Sequence, residues 1–359
     1  MHEHTLKALQ QHYDLLPIGL PELPSRVEKG LLNVLFTEEE AHAALHMTPH
    51  GHTPVEMAQK MGKTEKDLLE LVETMFRKGL ILREEKEGQK VYSLVPLVPG
   101  IYEFQLGVLN KVLSRLVEVL LPEYAPHLFG DKTPLFKVVP AETSLPVDVE
   151  ISPYERASEI VREAKVVGLA DCLCRKERML TGHPCDSPKD EICIVFHPWA
   201  EAYIERGIAK EVSVDEAMKA IDRAEQAGLV RCTTNNKKNP LFMCQCCSCC
   251  CGILRGFVDF GLPRAFAHSN FVPAVSKESC DGCGDCIKIC TMHALDLRDD
   301  KAKMDGTRCI GCGLCATACS NGSIVMRRKG ESKIEVPPGT WDELMTVLAH
   351  ERGKTYFYK

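Results

Sequence analysis

The chain has 359 residues, enough for two or three domains, with 45% hydrophobic residues and a formal net charge of −6, which argues against a general nucleic-acid binder. Its longest apolar segment, Leu106–Leu121, is interrupted by Lys111, Arg115 and Glu118 and is too short and too charged to span a bilayer. The 19 cysteines follow a polar start, Met1-His2-Glu3-His4, with no apolar leader after it, so they predict metal ligands in a reducing cytoplasm rather than disulfides.

In chain order, helix starts are marked by a hydroxyl residue with an acid three positions on. They are Thr37/Glu40, Thr53/Glu56, Thr64/Asp67, Ser152/Glu155, Ser213/Glu216 and Thr340/Glu343. Residues 30–96 read as one unit: a helix after Thr37, a short helix Pro54–Met61, a turn at Gly62-Lys63, and a helix Glu65–Lys78 with Leu68, Leu69, Val72, Met75 and Phe76 on one face. Two β-rich runs, Leu80–Arg83 and Val91–Val95, flank a turn at Gly88. Helix–turn–helix plus hairpin resembles a winged helix domain. The second helix carries four acids (Glu65, Asp67, Glu70, Glu73) against three bases (Lys66, Arg77, Lys78), a net charge of −1. Phosphate contact needs a basic surface, so this charge argues against specific DNA binding and for docking a partner protein or a second copy.

Residues 97–152 read as a helical and extended connector. The helix lies near Leu106–Leu121, and the stretch Pro122–Pro146 is expected to be extended. Residues 153–272 form a Cys-rich domain, expected to be helical. Cys172-x-Cys174 is followed by Cys185 and Cys193, then a helix at Val214–Ala227, then Cys232, and then six cysteines in eight residues: Cys244, Cys246, Cys247, Cys249, Cys250 and Cys251. Free thiols at that density are an oxidation hazard, which points to ligation. The ten cysteines other than Cys232 suffice for two cubane clusters with two thiols over, or for one cubane and a more Cys-rich centre. The zinc alternative is one structural ion with several buried thiols. Neighbouring residues of an extended chain point in opposite directions, so Cys246 and Cys247, or Cys250 and Cys251, serve different centres more easily than one. Cys232 reads as a small buried apolar residue.

Residues 273–330 carry two copies of one ladder, Cys280-x-x-Cys283-x-x-Cys286-x-x-x-Cys290 and Cys309-x-x-Cys312-x-x-Cys315-x-x-x-Cys319, offset by 29 residues. This spacing resembles the bacterial two-cluster ferredoxins, in which the fourth Cys of each run ligates the other cluster. The resemblance implies one 4Fe-4S cluster on Cys280, Cys283, Cys286 and Cys319, and another on Cys309, Cys312, Cys315 and Cys290. Zinc knuckles are the bland alternative, and the duplicated four-Cys spacing speaks against them. Thr291 and Ser320 stand where those ferredoxins usually have proline. Gly282, Gly284, Gly311 and Gly313 suit a loop that needs backbone close to sulfur. Residues 331–359 read as a C-terminal helix and tail.

Cys172-Leu-Cys174-Arg175, Gly182-His-Pro-Cys185-Asp186, Glu191-Ile-Cys193, the Cys244–Cys251 run with Gly252 and the paired ladders together resemble multi-cluster ferredoxin-type proteins of anaerobic bacteria. The shared stretch is about Ser152–Met326, half the chain. A Cys-Cys pair also occurs in heterodisulfide-reductase-like proteins, but the full spacing of that family is absent.

The expected fold class is therefore multidomain α+β: a winged helix-like domain, a central Cys-rich helical domain and a ferredoxin-like domain. The expected cofactors are two 4Fe-4S clusters and one or two further iron–sulfur clusters. The expected function is cytoplasmic electron transfer between a partner oxidoreductase and another carrier, by a protein that is not itself catalytic. A redox-responsive transcriptional regulator and a reductase of disulfide-type substrates are the alternatives. His42 and His46, one helical turn apart, lack a third ligand and read as solvated surface. His268 and His293 are candidates to tune nearby clusters.

Overall fold

The computed structural model describes residues 1–355; the end of the predicted tail lies outside the described residues. The N-terminal layer is helical: α1 (Glu3–Asp14), α2 (Val27–Leu35), α3 (Glu38–Ala44), α4 (Pro54–Met61) and α5 (Glu65–Lys78). Thr37 and Thr53 close capping boxes with Glu40 and Glu56, and Thr64 accepts from the Asp67 N–H, so each start satisfies backbone donors with its own side chain. Helix α5 buries Leu68, Val72, Met75 and Phe76 and ends at Gly79, whose φ is +73°. A hairpin of β1 (Ile81–Lys86) and β2 (Gln89–Leu94) follows, in antiparallel register from Ile81↔Leu94 to Lys86↔Gln89. Glu73 of α5 faces this hairpin. Its carboxylate accepts from Arg83 at 2.6 Å, Tyr92 at 2.7 Å and Lys90 at 3.1 Å. Arg83 also pairs with Glu205, which ties the hairpin to the next domain.

Helices α6 (Tyr102–Phe104) and α7 (Lys111–Phe129) follow. The connector differs from expectation: α7 starts after Leu106 and runs through Pro122 and Pro126, so the first part of the expected extended stretch is helix. Each interior proline removes a helical hydrogen bond. Tertiary contacts offset that cost: Tyr124 Oη donates to Gly19 O at 2.6 Å, and Arg352 Nη2 donates to His127 O at 2.6 Å. The start is fixed by Asn110, whose side chain accepts from the Val112 and Leu113 N–H groups at 3.0 and 3.1 Å.

The central region, expected to be helical, is built on a sheet. Its elements in order are β3 (Phe136–Val138), α8 (Ala157–Glu163), β4 (Val167–Ala170), α9 (Leu173–Leu180), β5 (Cys193–Phe196), α10 (Trp199–Glu205), β6 (Ala209–Glu211), α11 (Val214–Gln226), β7 (Val230–Thr234), β8 (Phe242–Cys246) and α12 (Gly252–Val258). The strands form one six-stranded antiparallel sheet in the order β3-β7-β8-β5-β4-β6. Ile160, Val161, Leu169, Ile194, Ala217 and Ile221 form a core between the sheet and helices α8 and α11. Val195, Trp199, Phe242 and Phe136 belong to the larger core shared with α7 and the N-terminal layer. Strands covered on both faces lose the period-2 alternation that would announce them; β7 is buried along its whole length.

The C-terminal region pairs β9 (Phe271–Val275) with a later strand and holds α13 (Asp285–Lys288), the hairpin β10 (Leu295–Arg298)/β11 (Lys301–Met304), α14 (Leu314–Thr317), β12 (Ile324–Arg328) and α15 (Trp341–Glu351). The partner of β9 is β12, so the first and last strands close around both ladders. No helix among the described residues is long and apolar enough to cross a membrane.

Candidate metal centres

The two ladders occupy equivalent loops ahead of α13 and α14. Gly282 and Gly311, each two residues into its ladder, have φ of +76° and +72°. A Cβ at Gly282 would lie 2.5 Å from Asp300 O, and one at Gly311 would collide with Phe271 O. Glycine is required at both by conformation and by space. Burial, then the charges of Cys283, Cys319 and Cys280, raises the Cys286 thiol. Burial, then Cys312, Cys309 and Cys290, raises Cys315. Cys286 of the first ladder thus has Cys319 of the second among its near neighbours, and Cys315 of the second has Cys290 of the first. Cys290, Cys309, Cys312 and Cys315 line one cavity of about 20 Å³ with Met292, Met304, Ile310 and Leu314. Backbone N–H groups face sulfur: Ala294 N donates to Cys290 Sγ at 3.3 Å and Ala302 N to Cys280 Sγ at 3.4 Å. Burial pushes the Cys312 thiol up to about 12, so such a group gives up its proton readily only to a metal. Soft sulfur donors, N–H groups aimed at them and glycine-tight loops suit an iron–sulfur cluster.

Among the ten central cysteines four form a tight set, and the other six line a neighbouring cavity together with two of the four. Cys172 (the N-cap of α9), Cys174 in its first turn, Cys193 (the start of β5), Cys244 and Cys246 on β8, and Cys251 (the N-cap of α12) all line a cavity of about 110 Å³, and Cys247 and Cys250 reach the same cavity from the turn after β8. Within it, Cys246 and Cys251 Sγ are 3.2 Å apart, and Cys193 and Cys244 Sγ are 3.9 Å apart. The opposite wall comes from Tyr102, Val117, Leu120, Tyr124 and Tyr203. Hydrogen bonding with Cys232, and then burial, pushes the Cys246 thiol up to about 12 against the opposing contacts of Cys244 and Cys251. Cys232 on β7 stands opposite Cys244 in register and is fully buried behind the cavity wall.

The set of four is Cys185, Cys247, Cys249 and Cys250, whose sulfurs all lie within 4.8 Å of one another. Cys185 comes from the loop after α9; the other three come from the turn after β8. Hydrogen bonding from Cys250 and the nearby Arg175 hold Cys247 down to about 4.

Arg175 lies between the two sets. It is buried, donates from Nη2 to Gln245 O at 2.9 Å, and leaves Nε and Nη1 without a hydrogen-bond partner. Both side-chain polar atoms of buried Gln245 are also unpartnered. A buried guanidinium with spare donors among thiols fits an anionic thiolate-bound centre, whose charge it would offset. The floor of the cavity is a second ionic group: Glu118 of α7 accepts from Arg178 at 2.9 Å and from Arg255 at 2.9 Å, while burial and Glu118 push the neighbouring Glu177 up to about 8. Glu118, which reads in sequence only as an interruption of an apolar run, anchors two arginines of the central domain. Gln245 and Glu177 carry no sequence signal of their own; Arg175 is marked only by standing next to Cys174.

Thr291, in the position after Cys290, bridges the two thiol regions. Its Oγ1 donates to Ser248 Oγ at 2.7 Å and accepts from Ser248 N at 3.1 Å. Ser248 lies inside the set of four, so the residue that replaces proline joins the ferredoxin ladder to the central turn. Of the histidines weighed in sequence, His42 sits beside Glu38 on an exposed face, His293 is exposed with its backbone N bonded to Cys290 O, and His268 is packed against Phe257 and Phe266.

These features define an iron–sulfur protein with an electron-transfer role. Residues 279–323 match the family model described as a 4Fe-4S dicluster domain. The pyruvate synthase subunit PorD of Methanothermobacter marburgensis is 34% identical over 60 residues, covering 17% of this chain and 70% of that protein. The chain belongs, through this domain, to the 4Fe-4S dicluster ferredoxin family. Hydrogenase-4 component A of Escherichia coli K12 is 41% identical over 39 residues, covering 11% of this chain and 19% of that protein. The putative oxidoreductase UacF of the same organism is 29% identical over 94 residues, covering 23% of this chain and 14% of that protein. The chain therefore spans well under two thirds of the last two relatives.

Proposed function

We propose that the chain relays electrons between a partner oxidoreductase and a second carrier through clusters in two adjoining domains. In this reading Cys280, Cys283, Cys286 and Cys319 hold one 4Fe-4S cluster and Cys309, Cys312, Cys315 and Cys290 hold another. Cys172, Cys174, Cys193, Cys244, Cys246 and Cys251 supply a third, buried iron–sulfur centre. When bound, the clusters accept and release single electrons. The protein's own part is to present thiolates, donate N–H groups to sulfur, exclude water and place Arg175 against the buried charge.

The observation that carries the reading is the Thr291–Ser248 pair, which holds a ligand-bearing turn of the ferredoxin domain against the central turn. Two relatives are named as subunits of larger oxidoreductases, pyruvate synthase and hydrogenase-4, which supports a redox partner here. The N-terminal unit, read as a winged helix, would dock that partner. Support comes from its electrostatics: Arg83 and Lys90 are engaged by Glu73, and Arg83 also by Glu205, so the hairpin offers little basic charge for phosphate. The test is stopped-flow reduction of the anaerobic full-length protein by a low-potential donor, followed by transfer to an acceptor protein. Reoxidation of all clusters by one acceptor in a common kinetic sequence supports the relay. Clusters that neither accept nor pass electrons would refute it.

A further inference from the structure

We propose that Cys185, Cys247, Cys249 and Cys250 bind a single tetrahedral metal ion, zinc or iron, and not an iron–sulfur cubane. Four thiolates around one such ion at about 2.3 Å stand about 3.8 Å apart. A cubane places four irons between its thiolates and spreads them to roughly 6 Å. The four sulfurs lie within 4.8 Å of one another, with Cys185 and Cys247 at 4.0 Å and Cys249 and Cys250 at 3.7 Å. Among the described residues this is the sole group of three or more such donors drawn so close; neither ferredoxin ladder is. The donor set is closed and all sulfur, as in a structural tetrathiolate site.

The local chain explains why these four converge. Cys247, Cys249 and Cys250 sit on one turn after β8, which starts into α12 when Cys251 N bonds to Cys247 O at 3.1 Å. Cys251 and Cys246, at the two ends of this turn, line the cavity and stand outside the tight set, whereas Cys247 and Cys250 belong to the set and border the cavity. The residue between the ligands is Ser248, the partner of Thr291. The ion would thus pin the loop after α9 to the turn that carries the ferredoxin domain, a staple across the interface. This inference does not depend on the relay reading.

The test uses the full-length protein purified without oxygen. Iron, acid-labile sulfide and zinc are counted, and X-ray absorption is recorded at the zinc and iron edges. The expected result is about one zinc per chain with only sulfur neighbours near 2.3 Å, or iron exceeding sulfide by about one. Cys249→Ser and Cys185→Ser should each lose that ion while iron bound with sulfide stays at the wild-type level. Absence of zinc with iron equal to sulfide overturns the proposal, as does zinc with oxygen or nitrogen neighbours. Variants that lose iron and sulfide in equal, cluster-sized amounts also overturn it. Should both variants fail to fold, the wild-type count and absorption spectrum decide alone.

Discussion

In the proposed C-terminal sites, each ladder would supply three thiols from one loop, and the fourth would arrive from the other ladder. In the central domain, eight cysteines line one cavity, reaching it from two helix starts, two strands and the turn after β8, and only the fold brings them together. The first arrangement is local and repeats with a fixed offset, so it tolerates a small domain and a partly exposed site such as Cys283. The second draws on a sheet, on α7 and on a buried arginine, and it is walled by aromatic and aliphatic side chains. A cluster there would be shielded from water, with its charge balanced by Arg175 rather than by solvent.

The comparison breaks most sharply under substitution of the crossing ligands. Cys290→Ala should abolish the cluster shared with Cys309, Cys312 and Cys315 and leave the other, while Cys319→Ala should do the reverse; cluster-resolved spectra of the reduced variants read this out. If each substitution damages its own ladder, the crossed assignment fails. In the central domain, Arg175→Met should lower the potential of the buried centre by on the order of 100 mV, because a buried cation no longer offsets the added electron. The C-terminal clusters should keep their potentials; a redox titration that finds all of them shifted together would contradict this separation.

A third substitution addresses the joint between the regions. Thr291→Val removes two hydrogen bonds to Ser248 and should cost about 1–2 kcal/mol. It should also slow electron transfer between the domains, measurable by stopped-flow, without loss of iron. A pH-dependent effect, absent at neutral pH, concerns His268, which burial holds down to about 4. The unfolded chain takes up that proton near pH 6.5 and the folded one near 4. Stability from this group is therefore complete above pH 6.5 and is lost as pH falls toward 4, by up to about 3 kcal/mol. His268→Phe should flatten that dependence in denaturant titrations between pH 7 and 4.5, and an unchanged slope would rule the group out.

How legible each region is in the sequence follows the same division. The ladders, the glycines at positive φ and the capped helices Pro54–Met61 and Glu65–Lys78 are local features, and their residues announce them within one turn of chain. The central sheet is not local. Its strands are four or five residues long in β4, β5, β7 and β8, covered on both faces and threaded with cysteines, so neither alternation nor composition separates them from helix. Helix α7 hides behind Pro122 and Pro126, which locally signal a break and are overridden by the anchors at Gly19 and Arg352. Which four of the ten central cysteines come within 4.8 Å of one another depends on how one short turn meets the loop after α9, and spacing alone does not encode that.

Iron and acid-labile sulfide counted on the anaerobic full-length protein, with electron paramagnetic resonance of the reduced state, test the relay most directly. About twelve irons matched by sulfide are expected, with a third cluster signal that disappears in Cys246→Ala while the C-terminal signals persist. About eight irons, with spectra unchanged by Cys246→Ala, would leave the central cavity without a cluster and contradict a relay through both domains.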